Sequence, residues 1–293
     1  MRFQGNKNCE NYFKKLGHRV QDTENRAVYW KNRSVGWAEV ATTAKPNQDP
    51  FIRQLIEYAG ITPAMTVLDL ASGTGDPAIT IARILTKGTV TAYDITPEML
   101  AIAVQRSKRN AVNNLTFTVG NMDSLPFPNS TFDAVTSRNG LMFSKNKLVC
   151  ARETLRVLRP GGKAVWLVWG ELNLNPTFLG VSAGLESFFG EIFPPRMIRH
   201  NLSKPGQLKE IIRNSGFAKF EELQLTWERR INPDDDYFHR AVSRTAPNRV
   251  AALTEADLGV LLEKVRDACA EYLVDDIYKI PIMMRLGIGT AHD

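Results

Sequence analysis

In the stretch VLDLASGTGDPA, residues 67–78, an apolar run carries Asp69 into Gly73-Thr74-Gly75, with Asp76 next and Ala78 beyond. The spacing satisfies G-x-G-x-x-G/A, in which glycines let the backbone approach a bound group where a helix begins. Three occupants fit such a turn: the pyrophosphate of a dinucleotide, the phosphates of a nucleotide, or a group without phosphate. A Walker site is excluded, because no Gly-Lys-Ser/Thr follows. Asp76 at the helix start favours the helix but repels a pyrophosphate. Asp69, four residues before Gly73, adds a second negative charge. A turn bracketed by two acids suits a ligand with positive groups, such as an amino acid bearing an ammonium and a sulfonium. Asp94 lies 19 residues beyond Gly75, where an acid accepts from both ribose hydroxyls. NAD sites share that spacing, so it argues for an adenosine-type ligand without choosing one.

The elements that must position these acids are short strands alternating with helices. Strands are expected at 66–70, 89–94, 115–119, 132–137 and 163–169, each nearly continuous in apolar residues. Between them, helices are expected at 77–86, from Pro97 with Thr96 as N-cap, and at 147–158. Such alternation indicates a parallel, doubly wound sheet of the α/β class. Residues 1–60 read as helical and aromatic, with Tyr12, Phe13, Tyr29, Trp30 and Trp37 ahead of an amphipathic segment at 50–58. After Gly170 the rhythm changes. Residues 171–203 read as a helical insertion with Leu185, Phe188, Phe189, Ile192 and Phe193 on one face. A helix at 206–214 and a strand at 218–227 follow, and Thr254-x-x-Asp257 resembles a capping box. The segment 278–284 reads as a strand that Pro281 restricts to an edge or a bulge.

Composition bounds the function. With 43% apolar and 23% charged residues among 293, the chain is that of a globular protein. No window reaches the roughly 18 apolar residues of a membrane span, and the first residues carry no apolar signal core. The net charge of +6 is spread along the chain; its densest run, Arg106-Ser107-Lys108-Arg109, reads as a solvated helix end. Three distant cysteines offer no metal or redox spacing, which makes a reducing cytoplasm the default.

Taken in order, VLDLASGTGDPA, VTAYDITPEML, GNMDSLPFPNSTFDAVTS and LRVLRPGGKAVWLV resemble the class I S-adenosylmethionine-dependent methyltransferases. The stretch is most similar to the small-molecule methyltransferases of the ubiquinone/menaquinone-biosynthesis type, over about residues 60–170. The resemblance implies a Rossmann-like, seven-stranded, doubly wound sheet whose last strand is antiparallel, with 218–227 and the segment after Tyr278 as its sixth and seventh strands. It implies an N-terminal helical lid over 1–60, a cofactor core over 61–170, and helical cap insertions with the last strands over 171–293. The implied cofactor is S-adenosyl-L-methionine, leaving as S-adenosyl-L-homocysteine. On this reading Ala71, Ser72 and Gly73 approach the methionine portion and Asp69 helps to hold its ammonium. Asp94 takes the ribose, Ile95 lies beside the adenine, and Asn121, Met122 and Asp123 sit at its edge. Ser137 and Arg138 flank the methyl donor and the substrate. Two departures stand out: Ala71 replaces the usual first glycine, and Asn121 stands where the family often has aspartate.

Methyl transfer from a sulfonium needs proximity and desolvation, and needs a general base only for a protonated nucleophile. His239, with Tyr237 and Phe238 beside it, is the first candidate base and His200 the second; Tyr29 and Trp30 are candidate lid residues near the methyl group. No metal site is expected. The absence of Asn/Asp-Pro-Pro-Tyr/Phe after the fourth strand, where Ser137-Arg-Asn-Gly140 stands instead, argues against a nucleic-acid base as acceptor. The expected partner is a small metabolite, such as an aromatic compound or natural-product intermediate, acted on by a monomer or homodimer. A methyltransferase-like protein that binds the cofactor without methylating remains the alternative.

Overall fold

The computed structural model describes residues 26–34, 36–37, 49–193 and 197–293. Tyr12, Phe13, Cys9 and His18 lie outside the described residues. A short helix α1 (Arg26–Lys31) precedes α2 (Pro50–Ala59), whose ends follow from three residues. The Asp49 side chain caps it by accepting from Phe51 N at 2.9 Å, Pro50 stands at its first turn, and Gly60 closes it in the left-handed region. The chain then alternates through β1 (Thr66–Leu70), α3 (Ala78–Ile84), β2 (Thr89–Asp94), α4 (Pro97–Arg109), β3 (Leu115–Val119), β4 (Phe132–Arg138), α5 (Lys147–Val157) and β5 (Leu158–Trp169). Thr96 holds the N-cap position of α4 as expected, though its side chain makes no cap bond.

Strands β1 to β5 pair in parallel, and the sheet order is β3-β2-β1-β4-β5-β8-β6, with β6 (Lys219–Ile231) and β8 (Ile277–Thr290) completing it. β8 runs antiparallel to both neighbours. The seven-stranded path carries one small addition: β7 (Leu273–Val274) pairs with β8 as a two-residue hairpin arm. The strand order reverses between β1 and β4, and in open α/β sheets ligands bind at the carboxyl edge of such a switch point.

Alternate residues of each strand face opposite layers. Val165 and Leu167 pack with Phe51 and Leu55 of α2, while Val67 and Ala134 pack with α3 and α4. On the other face Leu68, Leu70, Val135, Trp166 and Val168 pack with α5 and with α7 (Gln207–Asn214). Each fully buried leucine or valine in these layers contributes about 1.5–3 kcal/mol. A further cluster forms the cap from α6 (Thr177–Phe189), α8 (Tyr237–Thr245), α9 (Pro247–Val250) and α10 (Glu255–Ala268), joined to the sheet through Ile231, Tyr278 and Ile280.

Several expectations are corrected. β8 is an internal strand, not an edge. Pro281 is tolerated because β8 pairs with β5 only from Met284 onward, so the proline lies past the end of β5. α6 stops at Gly190, so Ile192 leaves the apolar face and is 67% exposed, whereas Leu185, Phe188, Phe189 and Phe193 do join the cap. Thr254 caps α10 by accepting from Asp257 N at 3.1 Å, but the Asp257 carboxylate takes the Thr254 hydroxyl, so only half of a capping box forms. Arg106 is no solvated helix end: it is buried and pairs with Asp76 at 2.7 Å. Among the described residues no helix is long and apolar enough to cross a membrane.

Candidate functional site

The carboxyl ends of β1, β2, β4, β5 and β6 open into one cavity of about 640 Å³, roofed by α1, the start of α6 and α8. That volume lies within the range of about 300–1,000 Å³ typical of small-molecule sites. Its cofactor-sized end is built by the turn after β1 and fixed by Asp94. One Asp94 oxygen accepts from Gly73 N at 2.8 Å and the other from Thr96 N at 2.8 Å, so a single carboxylate ties the turns after β1 and β2 together. Burial pushes the Asp94 carboxyl upward and these backbone donors draw it back down. Ser72 N donates to Tyr93 O at 3.1 Å, closing the same joint.

Ala71 explains how the turn forms without its usual glycine. It adopts φ +55°, a left-handed conformation that costs a residue with a Cβ about 1–2 kcal/mol. Space for that Cβ is provided by Gly140, where an added side-chain carbon would stand 2.7 Å from it and 2.5 Å from Ser137 Oγ.

Of the residues singled out from sequence, Tyr29, Ala71, Ser72, Gly73, Asp94, Ile95, Asn121, Met122 and Arg138 line this cavity together. Three others stand behind the wall. Asp69 is fully buried; it accepts from Thr136 Oγ1 at 2.8 Å and from Ser72 Oγ at 2.7 Å, and so braces the turn from beneath. Burial pushes its carboxyl up to about 7. Asp123 is turned toward the start of α5, where Ser144 Oγ, Lys145 N and Asn146 N reach it at 2.5, 3.2 and 3.4 Å. Ser137 is buried beneath Gly140. The electrostatic case against a pyrophosphate is also altered, because Asp76 meets Arg106 and Asp69 is sealed from the cavity.

Neither histidine stands on the wall. His200 is buried with Nδ1 2.7 Å from Gly170 O and its ring against Phe178; burial lowers its pKa. On α8 the cavity receives Tyr237, Arg240, Ala241, Arg244 and Thr245, the i, i+3, i+4, i+7, i+8 face, together with Ser243 at its margin, but not His239. His239 lies about 200° around the helix from Tyr237, and Phe238 turns into the cap core against Tyr278. Asn139, Arg229 and Trp169 are wall residues not foreseen. The helical spacing from Tyr237 was the readable signal for α8; Arg229 and Trp169 needed the sheet order. Arg138 pairs with Asp49, so the cap of α2 is fastened to the end of β4. Among the described residues no His, Cys, Asp or Glu cluster is arranged to hold a metal.

The acceptors here fit a ligand rich in donors. Asp94 faces the cavity, and Asn139 and Asp76, which line it too, each carry a buried Oδ1 with no hydrogen-bond partner among the described residues. The ammonium, ribose hydroxyls and exocyclic amine of S-adenosylmethionine are donors of this kind.

Residues 67–162 match a family model described as a methyltransferase domain. Over 117 residues the chain is 41% identical to the ubiquinone/menaquinone biosynthesis C-methyltransferase UbiE of Shewanella woodyi, which covers 39% of this chain and 47% of that protein. The UbiE of Edwardsiella ictaluri is 33% identical over 165 residues, 55% of this chain and 64% of its own. The chain thus spans about half the length of the curated relatives it matches. The solved structure of the [4+2]-cyclase SpnF superposes with a TM-score of 0.58 at 19% identity, over 91% of this chain and 96% of that one, and shares the fold. Residues 67–162 are thus similar to a methyltransferase domain, and the chain has the Rossmann-like fold that its solved neighbours share.

Proposed function

We propose that the protein transfers a methyl group from S-adenosylmethionine to an O, N or C atom of a small metabolite. The observation that carries this reading is the Asp94 bridge between Gly73 and Thr96, which joins the turns after β1 and β2 beside the strand switch point and opens directly into a larger cavity. When bound, S-adenosylmethionine supplies an electrophilic methyl on a sulfonium. The chain's own residues bind, orient and exclude water. Asp94 receives the ribose, Gly73 leaves the backbone bare beside the methionine portion, and Ile95 and Met122 flank the adenine. Tyr29 and Trp30 of α1 close over the wall, with Trp30 packed edge-on against Phe143 at 5.0 Å. With His200 and His239 off the wall, positioning and desolvation are the contributions assigned to the protein.

On the same reading, residues 1–60 act as a lid, 61–170 as the cofactor core and 171–293 as the cap that shapes the acceptor site. The acceptor is a small molecule and not a nucleic acid. The protein works in the cytoplasm, where its buried free thiols Cys150 and Cys269 stay reduced, as a monomer or homodimer.

The test is to incubate purified protein with S-adenosylmethionine and a panel of phenols, amines and quinols, and to quantify S-adenosylhomocysteine by mass spectrometry. Acceptor-dependent product is expected. A protein that binds the cofactor yet yields no product with any acceptor would overturn the methyl-transfer reading.

A further inference from the structure

The cavity is longer than its cofactor end. From β1 the sheet runs through β4, β5 and β8 to β6, four strand spacings, or roughly 19 Å. The wall supplied by residues from Trp169 onward is therefore a separate acceptor end. Its floor is apolar, with Trp169, Phe178, Trp227 and Ile282. Its charge is one-sided: Arg199, Arg229, Arg230, Arg240 and Arg244 line it, against Asp235 alone. Two of these cations are drawn off by neighbours, Arg230 by Glu228 at 3.1 Å and Arg240 by Asp235 and Asp236.

Arg229 differs. It is half-buried near the end of β6 and meets no carboxylate among the described residues. Its guanidinium lies 5.2 Å from the Tyr237 ring centre and 5.9 Å from that of Trp227, and Nη1 donates to Tyr237 Oη at 3.3 Å. That hydroxyl is itself 3.4 Å from Thr177 Oγ1. Three groups from β6, α8 and α6 thus converge on one point of the wall, all capable of donating. A guanidinium cannot lose its charge in a protein, and an unpaired one in a partly desolvated wall favours an anion. Its planar fork, supplemented by one phenol hydroxyl, matches the two coplanar oxygens of a carboxylate.

We propose that the acceptor carries a carboxylate, held by Arg229 with Tyr237 and Thr177, on an apolar or aromatic body lying against Trp169 and Phe178. This names the substrate class within the methyl-transfer reading and rests on it for the word acceptor, but the anion subsite can be tested without methyl transfer. The probes are 2-naphthoate, its uncharged isostere 2-naphthamide and 2-naphthyl phosphate, titrated calorimetrically into the full chain, with S-adenosylhomocysteine titrated separately. In the wild type, 2-naphthoate binds at least about tenfold more tightly than the amide, the scale of a hydrogen bond to a charged group. Arg229→Gln brings the two within about threefold while S-adenosylhomocysteine affinity is retained. Arg229→Lys keeps the charge without the fork and gives an intermediate preference; with Tyr237→Phe it supplies the readout should the glutamine variant fail to fold.

Equal or absent binding of the naphthoate, or a preference that survives unchanged in these variants, overturns the proposal. Tenfold tighter binding of the phosphate also overturns it, in favour of a phosphate ester. Loss of S-adenosylhomocysteine binding alone, with the carboxylate preference intact, would overturn the cofactor reading and leave the subsite standing.

Discussion

Asp94 and Asp69 sit one strand apart and do different work. Asp94 faces the cavity and joins two turns; Asp69 is sealed below, held by two hydroxyls. The pH dependence of Asp69 follows from its burial. Its carboxyl is raised from 3.8 to about 7 in the folded chain, so the folded state keeps a proton that the unfolded state releases near pH 4. The stability tied to that proton is complete below about pH 4, is lost as pH rises toward 7, and stays lost above. Asp69→Asn removes the titration. In urea unfolding between pH 4 and 8, the wild type should lose ground to this variant as pH rises, with the change confined to that window; parallel profiles would refute the assignment. Ala71 shows a second residue-scale compromise, a left-handed alanine accommodated by the missing side chain at Gly140.

Among the elements, β8 decides the architecture. It lies between β5 and β6 and carries Arg285, whose buried guanidinium meets Glu171 at 2.9 Å, Glu222 at 3.3 Å and the Ser203 carbonyl. Arg285→Met leaves the Glu222 carboxylate with the backbone N–H groups of Gly206 and Lys209 but without its countercharge, and should destabilise the fold by about 3–5 kcal/mol in urea unfolding, as removal of one partner of a buried pair does. A loss below about 1 kcal/mol would show that the network is solvated.

β8 also shows where sequence reasoning runs out. Strands β1 to β4 were legible because each is a short apolar run beside a helix of clear spacing, and the turn at Gly73 and Asp94 could be read from types and intervals. Pro281 misled because its rule concerns ladder partners, and whether a partner stands beside it depends on where β5 ends. Arg106 misled for the same reason: its place at a helix end gave no sign of Asp76, thirty residues away in sequence. His239 was misplaced by reading adjacency to Tyr237 where helical phase governs. The acceptor wall draws on β5, α6, β6, α8 and β8, a convergence that no local pattern records.

At the scale of the whole molecule, one cavity joins two unlike ends. The end over β1 and β2 is rich in acceptors, and the end over β5, β8 and β6 is apolar and basic. A donor-rich cofactor and an anionic acceptor would therefore be sorted by the walls before they meet near the ends of β4 and β5. The net charge of +6 is then partly a property of this site, since five arginines stand in its acceptor wall. On the proposed function, the turn at Gly73, tied by Asp94, holds S-adenosylmethionine. Calorimetric titration of S-adenosylmethionine into the wild type and Asp94→Asn tests it most directly. One equivalent should bind the wild type in the micromolar range, with at least about tenfold loss in a folded Asp94→Asn protein. Absence of binding to the folded wild type, or equal affinity in the variant, would contradict it.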